Sequence, residues 1–157
     1  MALSLADAAD AIAMDRFLAS DLVVETKPDM TPVSDADRAV EAELRTILER
    51  DRPADAVLGE EFGARADRLD SRREWIIDPI DGTKSYVRGV PIWATLIAVR
   101  EGDEITTGVV SAPALGRRWW ATRGSGAFAS SQHVSSSHDH ARGPLSASRV
   151  SQLGDAS

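Results

Sequence analysis

Trp75-Ile76-Ile77-Asp78-Pro79-Ile80-Asp81-Gly82-Thr83 is the stretch whose reading decides the fold. Its apolar, β-branched start predicts a buried strand over residues 74–77 that delivers Asp78 at its end. Pro79 keeps Asp78 out of a helix, so a turn is expected there, with the Asp78 and Asp81 carboxylates close together. Asp81 is expected to cap a short helix opening at Gly82 and Thr83, whose first amides form an anion site. Gly82 has no Cβ, which lets a ligand oxygen approach the backbone closely.

Upstream, residues 56–59 read as a second buried strand that ends in Glu60 and Glu61. If the two strands are neighbours, up to four carboxylates converge. Two unit charges about 4 Å apart repel by roughly 4 kcal/mol at an effective dielectric of 20, so such a cluster requires cations or protons. The chain has no cysteine, and these segments hold no histidine. All-oxygen ligation favours a hard ion, Mg²⁺ or Mn²⁺, over zinc. Carboxylates around paired hard ions, beside a helix start that holds a phosphoryl group, make a site suited to hydrolysing a phosphate ester.

The rest of the chain frames that site. Leu5, Ala8, Ala9, Ile12, Ala13 and Phe17 recur at three and four, predicting an amphipathic helix over residues 5–18. Residues 22–25 are short and β-branched, and two prolines make residues 27–32 a polar loop. Ser34 is placed to cap a second helix, with Asp37 in its first turn and Ala39, Val40, Leu44, Ile47 and Leu48 as its inward stripe. Residues 63–73 read as a polar surface excursion. Strands are expected at 93–100, 104–111 and 117–122 as an antiparallel meander, followed by a turn at 124–129. Residues 130–143 are rich in Ser, His and Gly and read as an exposed loop, so His133, His138 and His140 are not taken as ligands. Helices followed by strands predict an α+β fold, with two N-terminal helices packed on a largely antiparallel sheet.

Composition limits the alternatives. With 157 residues and 43% apolar content, the chain suits one domain with a real core. Its net charge of −7 argues against nonspecific nucleic-acid binding. No apolar run approaches the roughly 20 residues needed to span a bilayer. Residues 1–18 lack the basic start and cleavage site of a secretory signal, so a cytoplasmic address is expected.

Four motifs in order carry a family resemblance. Residues 75–88 look like the signature of the inositol monophosphatase superfamily, and Gly59-Glu60-Glu61 stands where that family has its Gly-Glu-Glu. Lys27-Pro28-Asp29-Met30-Thr31-Pro32-Val33-Ser34-Asp35-Ala36-Asp37 resembles its N-terminal loop, and Gly124-Ser125-Gly126-Ala127-Phe128 its later glycine turn. Lys84, the run 87–91 and Trp93-Ala94-Thr95-Leu96-Ile97 are more similar to the histidinol-phosphatase branch. The bland reading of Asp78 and Asp81 as turn and capping residues gives way before this combination.

The resemblance implies a Mg²⁺-dependent phosphomonoesterase, with Mn²⁺ as an alternative ion, on the first half of a layered αβαβα fold. It implies that Glu60, Asp78 and the Ile80 carbonyl bind one magnesium, and Asp78 and Asp81 the second. Thr83, hydrogen-bonded to Asp37, would orient the attacking water, and the Gly82 and Thr83 amides would hold the phosphate. Asp37, Thr83 and Glu60 are thus the implied catalytic group. Glu61 would be a near neighbour, and Lys27 either an ordinary solvated lysine or a group that touches phosphate or orders its loop. The implied substrate is a small phosphate monoester, L-histidinol phosphate first and inositol monophosphate or a related sugar phosphate second. A homodimer is expected, to which an outward ring of the Trp119-Trp120 pair could contribute. The family's later Trp-Asp motif has no counterpart here. The chain is therefore expected to be a truncated or split copy, with residues 1–129 as a metal- and phosphate-binding domain and 130–157 as the start of the second half. A catalytically inactive half-fold that binds metal or partners is the competing expectation.

Overall fold

The computed structural model describes residues 1–64, 71–131 and 147–149. An eight-stranded sheet forms the centre: β3 (Ala56–Gly59), β4 (Gly63–Ala64), β5 (Arg73–Asp81), β6 (Ala94–Glu101), β7 (Glu104–Ala112), β8 (Arg117–Thr122), β9 (Gly126–Ser131) and β10 (Ala147–Arg149). Its spatial order is β10-β9-β8-β7-β6-β5-β3-β4. Only β3 and β5 run parallel, and the other pairings are antiparallel. A small hairpin, β1 (Val24–Thr26) with β2 (Pro32–Ser34), precedes it. The fold is α+β with a largely antiparallel sheet, as the order of the predicted elements implies.

Two helices, α1 (Ala2–Arg16) and α2 (Asp35–Asp51), cover one face of this sheet. Ala6, Ala9 and Ala13 of α1 are fully buried and, being small, bring the helix close to α2 and the strands. Leu5 of α1 and Val40, Leu44 and Leu48 of α2 meet Trp75 and Ile77 of β5, Ile97 and Val99 of β6, and Val109 of β7. Each such side chain contributes about 1.5–3 kcal/mol by leaving water. On the opposite face the register aligns Asp78, Leu96, Val110 and Trp119. Val110 and Trp119 remain exposed there. Trp120 turns the other way and stacks on Phe128 at 5.7 Å.

Several sequence expectations are corrected. The chain does not turn at Asp78-Pro79, because β5 runs on to Asp81. Its register against β6 breaks between Asp78 and Asp81, which lets a residue without an N–H sit inside a strand. Asp81 does not cap the next helix, α3 (Thr83–Val87); Gly82 occupies that position at φ +94° and no side chain caps it. Helix α1 ends at Arg16 rather than 18, since Phe17 is extended and Leu18 takes φ +67°. In α2 Ala39 is exposed, and Ala36 and Glu41 face inward with Val40. Residues 126–129 are strand, and the turn is confined to the preceding residues. The expected excursion at 63–73 and loop at 130–143 fall largely outside the described residues, as do the three histidines.

Candidate active site

The start of helix α2, the β3 end, the β5 bulge and the start of α3 meet at the ends of β3 and β5. Ser34 and Asp37 form a reciprocal capping box at the start of α2. The Ser34 amide and hydroxyl donate to Asp37 Oδ2 at 2.8 and 2.5 Å, and the Asp37 amide donates to Ser34 Oγ at 3.3 Å. The other carboxylate oxygen, Oδ1, faces Thr83 Oγ1 at 3.1 Å. Burial pushes the Asp37 carboxyl above its usual range, against the lowering effect of these hydrogen bonds.

Parallel pairing of β3 with β5 brings Gly59 opposite Ile77, so Glu60 emerges beside Asp78. The Glu60 amide donates to Ile77 O at 3.1 Å. Burial first, then Glu60 and Asp81, push Asp78 up to about 7. Asp78 Oδ1 is buried with no hydrogen-bond partner among the described residues, as are Asp10 Oδ1 and Asp35 Oδ1 elsewhere; what sets Asp78 apart is the neighbouring charge of Glu60 and Asp81.

The bulge itself is fastened from β6, where the buried Thr95 hydroxyl donates to Pro79 O at 2.8 Å. Thr95→Val is expected to cost about 1–3 kcal/mol by leaving that carbonyl unpaired. A shift in urea midpoint checks this, and a variant as stable as the parent would refute it. Ile80 O accepts from Thr83 Oγ1 at 3.1 Å. Gly82 is required because its φ is positive and because a Cβ would sit 3.0 Å from Ile92 O. The Gly82 and Thr83 amides precede the first intrahelical bonds of α3, donated by Ser85 and Tyr86 to Gly82 O.

Lys27, at the end of β1, reaches across the cluster. Its Nζ lies 3.1 Å from Glu60 Oε1 and 2.8 Å from Glu61 Oε1. Burial works against its charge, but the bonds to Glu61 and Glu60 together carry its pKa above the ordinary value. Burial pushes Glu61 upward despite Lys27. The two directions disagree about how firmly the pair is ionised. The geometry decides for an ion pair, since 2.8 Å is a charge-assisted bond length.

Sequence reasoning missed Glu41. It is fully buried on α2, one turn after Asp37, and accepts from the Glu61 amide at 2.7 Å, the Phe62 amide at 3.2 Å and Arg45 Nε at 2.8 Å. The available signal was an acid on the inward stripe beside Val40 and Leu44.

The residues fit a hard cation in donor chemistry. Glu60, Asp78 and Asp81 are adjacent oxygen donors, and the orphaned Asp78 Oδ1 is the observation in favour. They are not gathered as a finished cage, for no three acidic or histidine side chains among the described residues surround a common point. Glu60 is turned partly to the Lys27 ammonium, at 3.1 Å.

This fold and this acidic site define a class. The profile of the inositol monophosphatase family matches residues 1–155, and the chain belongs to that family. It is 57% identical over 157 residues to a histidinol-phosphatase of Mycobacterium tuberculosis, covering 100% of this chain and 57% of the relative. It is 58% identical to a histidinol-phosphatase of Streptomyces coelicolor, covering 98% and 56%. Among solved structures it resembles the extragenic suppressor protein suhB of Bartonella henselae with a TM-score of 0.74 and 32% identity, over 83% of this chain and 50% of that one. An inositol monophosphatase of Thermotoga maritima gives the same TM-score, 0.74, and 32% identity over 82% and 49%. The chain thus spans little more than half the length of the curated relatives it matches. No helix among the described residues is long and apolar enough to cross a membrane.

Proposed function

We propose that this chain carries the metal- and phosphate-binding part of a phosphomonoesterase acting on L-histidinol phosphate, in histidine biosynthesis. The observation that carries the reading is the buried Asp78 Oδ1, without a hydrogen-bond partner among the described residues, in an acid whose neighbours are Glu60 and Asp81. The relatives named histidinol-phosphatase support the substrate. A relative named inositol-1-monophosphatase, 40% identical over 96 residues, supports inositol monophosphate as the second choice.

In this reading Glu60, Asp78, Asp81 and the Ile80 carbonyl hold Mg²⁺, with Mn²⁺ as the other ion the oxygens suit. When bound, such ions supply a water of lowered pKa and neutralise phosphate charge. Thr83 has one hydroxyl proton and two acceptors in reach, Asp37 Oδ1 and Ile80 O. If Ile80 O were taken up as a ligand, Thr83 would donate to Asp37, leaving its oxygen to accept a hydrogen bond from the attacking water and so orient it. Asp37 is held by the Ser34 box, so the Thr83 oxygen is aimed rather than free to rotate. The Gly82 and Thr83 amides receive the phosphate oxygens. Lys27 and Glu61 set the charge of the entrance, and the exposed Trp119 ring offers apolar contact for a homodimer.

Phosphate release from L-histidinol phosphate and from inositol 1-phosphate in Mg²⁺ tests this. Thr83→Ala is expected to lower kcat by about 10²–10⁴ while the chain stays folded. Absence of release from the 157-residue chain at every Mg²⁺ and Mn²⁺ concentration would instead favour an inactive half-fold that binds metal or partners.

A further inference from the structure

Glu41 is a carboxylate with no exposed surface that neither substrate nor metal would touch. Among the described residues its bonds go to the main chain just after Glu60 or to the arginine beside it. Oε2 accepts from the Glu61 amide, while Oε1 accepts from Phe62 and from Arg45 Nε. Arg45 extends the grip by donating through Nη2 to Gly63 O, with its guanidinium 5.9 Å from the Phe62 ring centre. On the near side, a Cβ on Gly59 would lie 1.8 Å from Glu41 Oε1. That glycine is therefore the notch through which the carboxylate reaches the turn. Glu60 itself is tied by its amide to Ile77 O, one residue before Asp78.

We propose that Glu41 is a positioning residue: by holding the Gly59–Phe62 turn it keeps Glu60 beside Asp78. The proposal rests on the metal-binding reading given above. Asp37 and Glu41 stand at i and i+4 on one face of α2, so a single helix fixes both halves of the site. Asp37 fixes Thr83, and Glu41 fixes Glu60. An ionised carboxylate suits the task because all three of its partners are donors. A glutamine would bring its own N–H against one of them. Groups that orient a metal ligand through hydrogen bonds are worth about 10–100-fold in metal affinity.

The test is Mn²⁺ binding to the 157-residue chain, measured from the free-ion electron paramagnetic resonance signal where every variant is folded by circular dichroism. Glu41→Gln is expected to weaken Mn²⁺ binding about tenfold or more. On a Glu60→Gln background the same substitution is expected to have no further effect, because Glu41 acts through Glu60. Equal affinity in Glu41→Gln and the parent overturns the positioning role, whatever happens to the melting temperature. Additive losses in the double variant overturn it as well. No Mn²⁺ binding by the parent chain sinks the metal reading and this role together. If Glu41→Gln does not fold, Arg45→Met decides, with an expected loss of about threefold, and an unchanged affinity overturns the proposal.

Discussion

Asp78→Asn is expected to reverse the stability order of the chain according to whether Mg²⁺ is present. In EDTA the parent carries a half-buried acid beside Glu60 and Asp81 whose Oδ1 has no partner among the described residues. Its folded pKa, about 7, lies above the unfolded value of 3.8. The stabilisation from protonated Asp78 is therefore full below about pH 4 and is lost as pH rises through about 7. A shift of that size corresponds to about 4 kcal/mol for a fully enclosed group. Asp78 is only partly buried, and solvent screening reduces this to roughly 1–2 kcal/mol. Asn cannot ionise, so at pH 8 in EDTA the variant is expected to melt higher than the parent, and at pH 4 the two should converge.

Mg²⁺ inverts the comparison. A cation at about 100 times its dissociation constant stabilises the parent by about 2.7 kcal/mol, and a variant without the central carboxylate gains little. Thermal denaturation at pH 8 with and without Mg²⁺ reads both effects. A variant that melts below the parent in EDTA would show that Asp78 is an ordinary stabilising acid. Mg²⁺ stabilisation equal in the two chains would show that the cation binds elsewhere. A trade of stability for concentrated charge is the usual signature of a functional cluster.

How far this site was legible depends on the range of the interaction. Ser34 and Asp37 are three residues apart, and their capping box follows from local rules. Strands β3 and β8 lie where β-branched and aromatic residues predict them, and the pairing of β3 with β5 is what unites Glu60 with Asp78. Local rules failed where sheet pairing overrode them. Pro79 reads as a turn in isolation, yet β6 supplies Thr95 to hold the bulge, so the strand continues to Asp81. Ala39 fits the helical stripe as well as Ala36 does, and only the direction of the sheet chooses between them. Glu41 was hidden for a different reason: an acid on an inward stripe looks like an error until the Glu61 and Phe62 amides appear opposite it.

Arg118→Met is expected to destabilise the fold by about 3–5 kcal/mol at neutral pH, because it strands a buried acid. Arg118 on β8 has a side chain only 2% exposed, with Nη1 2.8 Å from Asp7 Oδ1 and Nη2 2.6 Å from Asp10 Oδ2. Its Nε donates to Ser111 Oγ at 3.0 Å, and that hydroxyl donates to Asp10 Oδ2 at 2.8 Å. Burial pushes Asp10 above its usual range even with Ser111 and Arg118 opposing it. For such a group, stability is full below the unfolded pKa of 3.8 and declines as pH rises through the folded value. Removing the guanidinium removes the opposition, so the deficit should be largest at neutral pH and narrow as the solution is acidified. Met keeps an apolar stem, which separates loss of charge from loss of packing. Adding Asp10→Asn to Arg118→Met should recover much of the deficit, since no buried charge then remains. Urea midpoints at pH 7.5 and pH 5 measure this, and a deficit equal at both would show that packing alone is lost. The consequence reaches beyond α1: Tyr86 OH of α3 donates to Ala13 O of α1 at 2.7 Å. The helix that Arg118 anchors to the sheet is therefore also what holds the short helix that opens at Thr83.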